Sequence, residues 1–256
     1  MTGMKEISDL SPYLMKFVLV LLRISMFMAM LPFFSSKNFP MQFRIGLAVA
    51  VAVALAPVVQ ADAAGISMPV LVMREFVFGM LLGGMARGIF FAVDMAGQMI
   101  SNMIGFSMAT IFNPEMGQST EVARIYGIIA MLVILAVDAH HDLIAVLVQS
   151  YEWAPVGQVD VRTLVVKAVT TGSKLFITGM KIAAPVIVGM LITNILMGFL
   201  YKAAPQVNIF FVSMPVHIAL GFLIMIMMTP VFVHFFPDQF SEVRGEMFRI
   251  LALARK

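Results

Sequence analysis

Four histidines make up the conventional metal and proton-transfer chemistry of the sequence: His140 and His141, adjacent and followed by Asp142, and the isolated His217 and His234. Cysteine is absent, which removes disulfides, a thiolate nucleophile and Cys-based zinc or iron–sulfur sites. Consecutive residues on a helix point about 100° apart, so His140 and His141 do not share a face as the i, i+4 pair of a zinc protease does, and no HExxH occurs. The expectation is no metal and no cofactor, with HHD read as a polar kink or loop. No GxSxG, Walker or glycine-rich dinucleotide sequence is present, and no nucleophile stands beside a base. Enzymatic activity is not expected.

The elements that carry these residues are strongly apolar. Hydrophobic residues make up 61% of the 256, charged residues only 12%, and the mean hydropathy is +0.98, values of an integral membrane protein rather than a soluble domain. The net charge of +3 suits loop and head-group contacts, and without a basic, aromatic platform no nucleic-acid partner is expected. Lys5 precedes an apolar run, but Lys16 and Arg23 lie within it and no small-residue cleavage site follows, so a removable signal peptide is not expected. Six hydrophobic segments, 12–34, 41–61, 69–104, 122–148, 165–201 and 207–236, each have the roughly 20 residues a spanning helix needs. The fold class is all-α, polytopic, with about six long hydrophobic helices arranged as hairpins.

Charges inside these segments are the anomaly. A charge at a bilayer centre costs about 2.5–3.5 kcal/mol on insertion scales, so faces bearing Lys16, Arg23, Arg74, Glu75, Arg87, Lys174 and Lys181 should meet protein, water or head groups. Arg23, Arg74, Arg87 and Asp94 are expected to be buried. Gly79 with Gly83, Gly84 with Gly88, and Ala92 with Ala96 repeat a small residue at i, i+4, which lets a second helix approach closely. Lys167, Lys174 and Lys181 recur every seven residues, a stripe that either lines a watery cavity or acidic partner or only snorkels to an interface. In the basic tail, Phe240, Val243, Met247, Ile250 and Leu251 stand apart from Arg244, Arg249 and Arg255, the spacing of a cytoplasmic surface or docking helix. Between the third and fourth segments, IGFSMATIFNPEMGQSTEV (104–122) is too broken for a membrane helix and too sticky for an ordinary solvated loop.

The order of DMAGQMIS (94–101), GFSMATIFNPEMG (105–117), SYEWAPVG (150–157), APV (184–186) and NILMGFLYKAAPQVNIFFVSMPVHIALG (194–221) resembles the FliR family of flagellar type III export-gate proteins, related to the SctT, YscT and SpaR proteins of virulence secretion. The early LLRI (21–24) and the FP at Phe39 and Pro40 agree with it. Two departures are local: Lys202 stands where arginine is usual, and HHD replaces a glycine-rich turn. The resemblance covers nearly the whole chain. It implies a FliP-like part over about 1–160, followed by a FliQ-like hairpin and amphipathic tail over about 161–256. It also implies a non-enzymatic subunit, in single copy, of a gate built with FliP and FliQ in the bacterial inner membrane at the flagellar basal body. FlhB, FlhA, unfolded export substrates and membrane lipid are the further partners. The family's corresponding loop plugs the pore, which gives Phe106, Met108, Ile111, Phe112 and Met116 the role of seal and Gly105, Asn113, Pro114 and Gly117 that of hinges. A virulence-system gate subunit of the same family and a secondary transporter are the alternatives.

Overall fold

The computed structural model describes residues 2–35, 40–60, 66–105, 121–156, 161–206 and 208–254. Regular structure among them is helical: α1 (Thr2–Met30), α2 (Pro32–Ser35), α3 (Met41–Leu55), α4 (Met68–Ile104), α5 (Glu121–Ala136), α6 (Ala139–Trp153), α7 (Val161–Ala203) and α8 (Ile209–Ala254). The fold is all-α and of membrane type. Helices α1, α4, α7 and α8 are long and apolar enough to cross a membrane, and α5 with α6 makes a fifth candidate if the pair, bent by 74°, is one span.

Six uniform segments therefore become something less regular. The second is α3, whose 15 residues rise about 22 Å, short of a hydrocarbon core of about 30 Å. The fourth breaks at Asp138, whose φ of 55° is left-handed; aspartate enters that region more readily than most residues because its short side chain can bond locally. The sixth does not stop at 236. It runs on to Ala254 as α8, with Pro215, Pro230 and Pro237 inside it.

By contact the chain forms two compact units, one of Met1–Gly88, Asp138–Ser173 and Ser241–Lys256, the other of Ile89–Val137 and Lys174–Phe240. These group the chain by packing and do not follow the implied halves 1–160 and 161–256, which are a matter of likeness. In the first unit α3 packs on α1. In the second, Phe232 meets the Tyr126 ring edge-on at 5.1 Å and stacks with Phe236 at 5.3 Å, which ties α8 to α5.

The tail corrects an expectation. Val243, Met247, Ile250 and Leu251 are buried inside the first unit, the Phe248 ring lies 6.3 Å from that of Trp153, and Arg244 pairs with Asp142 of α6. Spacing at 243, 247, 250 and 251 marks one apolar helix face but does not say what covers it; here the covering surface belongs to the same chain. Met247→Ala should accordingly destabilise the protein by about 2–5 kcal/mol, while Arg249→Ala, at an exposed position, should stay within about 0.5 kcal/mol. Thermal unfolding of the detergent-solubilised protein checks both, and equal small effects would mean the tail is not core.

Candidate functional site

Arg23 sits near the C-terminal end of α1 with no solvent exposure, and so does Glu75 of α4. A guanidinium without water must find its hydrogen bonds in protein, and all three of its nitrogens do so. Nε donates to Glu75 Oε2 at 2.7 Å; Nη1 donates to the Ser150 carbonyl at 3.0 Å and the Ala154 carbonyl at 3.1 Å, and Nη2 to the same Ala154 oxygen at 3.1 Å. Those carbonyls lie at the end of α6, which carries partial negative charge; the Ser150 oxygen also accepts the Ala154 N–H at 3.0 Å, and Ala154 is the residue that ends the helix. Arg23 is thus the C-terminal cap of a helix far away in sequence. Its Cζ lies over the rings of Phe78, 4.4 Å from the centroid, and Tyr151, 4.3 Å from the centroid, and the Tyr151 hydroxyl donates to the Val20 carbonyl at 3.0 Å. Glu75 and Phe78 share a face of α4 at i, i+3, while Ser150 and Tyr151 are neighbours on α6.

Close approach of α1 and α4 makes this possible. A Cβ at Gly79 would lie 2.6 Å from the Arg23 carbonyl oxygen, and one at Gly83 would lie 2.8 Å from Met30 Cβ, both inside normal contact. Further along α4, Ala92 and Ala96 are buried, and a Cβ at Gly179 of α7 would come within 2.7 Å of the Ala92 carbonyl oxygen. Gly84 differs from its neighbours, since it faces open space, and Gly88 is half-buried.

Of the four charges expected to be buried, Arg23 is enclosed, Arg74 is half-buried, and Arg87 and Asp94 lie on the exposed side of α4. The physical reason is periodicity: Arg87, Phe91, Asp94 and Gln98 follow at three- and four-residue steps along one exposed stripe. Glu75, adjacent to Arg74 in sequence but on the inner face, is the buried one. Lys174 and Lys181 are exposed; the side chain of Lys167 lies outside the described residues. Asp138, His140 and His141 come together within 4.8 Å, against the expectation from their spacing; His217 and His234 stand apart on α8.

The hinge at Gly105 is described. It ends α4 with φ +94°, and its N–H donates to the Ser101 carbonyl at 3.1 Å, the left-handed helix stop for which glycine is suited. Ile104 before it is fully buried, and a Cβ at Gly221 of α8 would lie 2.4 Å from Ile104 Cγ1, so the Ile104 side chain packs directly on the α8 backbone at the end of α4. A Cβ at Gly97 would lie 2.3 Å from Ala123 Cα, which presses α4 and α5 together near the start of α5. Phe106, Met108, Ile111, Phe112, Asn113, Pro114, Met116 and Gly117 lie outside the described residues. Gly97, Gly221, Ser150 and Tyr151 were not singled out, although Gly97 stands in DMAGQMIS, Ser150 and Tyr151 in SYEWAPVG and Gly221 in the 194–221 block.

The sequence of this helical membrane protein has counterparts among known proteins. The family model described as bacterial export proteins, family 1, matches residues 14–243. The chain belongs to that family. Among relatives of this export-protein family, the flagellar biosynthetic protein FliR of Bacillus subtilis is 30% identical over 262 residues, 98% of each chain, and that of Escherichia coli is 30% identical over 232 residues, 87% of each. The secretion system apparatus protein SsaT of Salmonella typhimurium is 29% identical over 171 residues, 64% of each chain. An export apparatus protein of the membrane is therefore established at the level of the family.

Removing one member of a buried ion pair strands the other, a cost of about 3–5 kcal/mol. Arg23→Ala and Glu75→Leu should each lower thermal stability by that order. Arg23→Lys should rescue little, because an ammonium cannot fork between Glu75 and two carbonyls. Melting curves that left Arg23→Lys equal to wild type would refute the cap.

Proposed function

We propose that this chain is a non-enzymatic core subunit of the flagellar type III protein export gate in the bacterial inner membrane at the basal body, assembling in single copy with FliP and FliQ. The observation that carries the reading is the match to a flagellar FliR over 98% of each chain. The flagellar reading is preferred to the virulence one because the SsaT match spans only 64% of each.

Physical features support an assembled rather than a solitary protein. Helices α7 and α8 leave large side chains such as Ile177, Val188, Leu191, Ile195, Phe199 and Met227 exposed, and the charged stripe of α4 at Arg87 and Asp94 is poorly suited to lipid. On this reading FliP-like and FliQ-like neighbours cover those faces, FlhB and FlhA lie beside the gate, and unfolded substrates pass through it. Residues 1–160 act as the FliP-like part and 161–256 as the FliQ-like hairpin.

Residues 105–118 form the plug. From the Gly97–Ala123 contact, α4 rises about 10 Å to Ile104 and α5 begins about 3 Å before Ala123, so the two roots are close, whereas residues 105–120 could reach about 50 Å if extended. That surplus of chain suits a functional loop more than a connector. Phe106, Met108, Ile111, Phe112 and Met116 would close a pore by disfavouring water without a strong bond for a passing polypeptide to break.

Expressed alone, the chain should aggregate or be degraded; co-expressed with its FliP and FliQ it should leave the membrane as a hetero-complex. A monodisperse, protease-resistant protein made without partners would count against the assembly. Deleting Ser107 to Glu115 should preserve that complex yet let ions leak across the membrane, and Gly105→Val, which forces a β-branched residue to positive φ at a cost of about 1–2 kcal/mol or more, should leak in the same assay to a smaller degree. Normal secretion by an ion-tight deletion strain would remove the plug assignment.

A further inference from the structure

We propose that Asp138, His140 and His141 form a binding site for a divalent transition-metal ion, with zinc the best match to two imidazoles and one carboxylate. One ligand atom from each residue lies within 4.8 Å of the others, the one group of this kind among the described residues. His141 Nδ1 is 4.0 Å from Asp138 Oδ1, and the two imidazole rings are 4.1 Å apart and tilted by 38°.

Spacing alone argues against such a set, since neighbouring helical residues diverge by about 100°. Two local features overcome it. Side chains lean toward a helix's N-terminus, so His140 and His141, in the first turn of α6, project past the helix end, where no preceding turn stands in the way. Asp138, left-handed at φ 55°, turns the chain just before that end and puts its carboxylate on the same side. Around a tetrahedral zinc with bonds of about 2.0–2.2 Å, adjacent ligand atoms sit roughly 3.3–3.5 Å apart, so separations of up to 4.8 Å must contract by at most about 1.4 Å. The Asp138 and His141 side chains, 75% and 70% exposed, have the freedom to do this. His140 Nδ1 is shut off from solvent and has no hydrogen-bond partner, which leaves that nitrogen free of a competing protein bond.

Imidazole with a carboxylate selects zinc, nickel or copper over magnesium or calcium. A water would complete the tetrahedron. The adjacent Asp142 is not available, since it pairs with Arg244. The partial positive charge at the start of α6 opposes a cation, and the Asp138 carboxylate offsets it, so replacing that carboxylate should weaken binding. A bound ion would clamp Asp138 onto the first turn of α6 and hold the helix start in register.

The test uses the full chain without a polyhistidine tag, solubilised with the partners it needs. Equilibrium dialysis against low-micromolar zinc should leave one zinc per chain, and cobalt should give the visible absorption of a tetrahedral site. His140→Ala/His141→Ala should reduce affinity by roughly tenfold or more and Asp138→Asn by a smaller factor, with His234→Ala unchanged. Because variants can misfold, the unaltered chain supplies a second measurement. Zinc should protect His140 and His141 from carbethoxylation while the exposed His234 stays reactive. No retained zinc, retention equal in the double variant, or equal modification with and without zinc would each overturn the site.

Discussion

Burying a guanidinium constrains everything within its reach. Desolvating it costs several kcal/mol even after relaxation, and only good geometry with every donor satisfied offsets that. Arg23 meets the condition by drawing on two other helices: a carboxylate from α4 and the terminal carbonyls of α6, with its Cζ over two aromatic faces. None of these groups can move far without leaving a buried charge unpaired. The contact therefore fixes the relative placement of α1, α4 and α6 within the first unit more narrowly than apolar packing would, because apolar side chains tolerate sliding and this set of directed bonds does not.

Glycine supplies what arginine requires. Between helices in a membrane there is no hydrophobic drive to associate, so close packing has to come from backbone contact at small residues. Gly79 and Gly83 let α1 lie against α4, which brings the Arg23 backbone close enough for its side chain to turn inward to Glu75 and α6. The second unit uses the same device at Gly97 and Gly179, and at Gly221 a glycine admits the Ile104 side chain instead; the contacts at Gly97 and Gly221 lie near the two ends of the 105–120 segment. The helix ends on either side of that segment are thus held at Gly97 by the Ala123 backbone and at Gly221 by the Ile104 side chain.

Polar groups in this protein fall into two physical regimes. Inside, Arg23 and Glu75 act through directed bonds in a dry environment, where each is worth a large fraction of the stability. Outside, Arg244 with Asp142 is partly exposed and screened, and contributes little by itself. The histidine and aspartate group at the start of α6 belongs to the second regime, and only an ion would give it the strength of the first.

The composition by itself determined that the chain is an all-helical membrane protein, because 61% hydrophobic residues and long apolar runs admit no other way to satisfy the backbone. The quoted motifs were enough to place it in its export family. The glycine pair at 79 and 83 and the burial of Arg23 were also legible, from spacing and from the cost of charge in an apolar run. What only the tertiary structure decided was pairing across distance. Arg74 and Glu75 are adjacent, and no local rule says which one turns inward; that depends on where α1 lies. Met247 and its neighbours show an apolar face whatever covers it, so a membrane surface and a sister helix read alike until α6 is in place. The break at Asp138 depends on one left-handed residue, and it brings together three side chains that helical periodicity alone would hold apart.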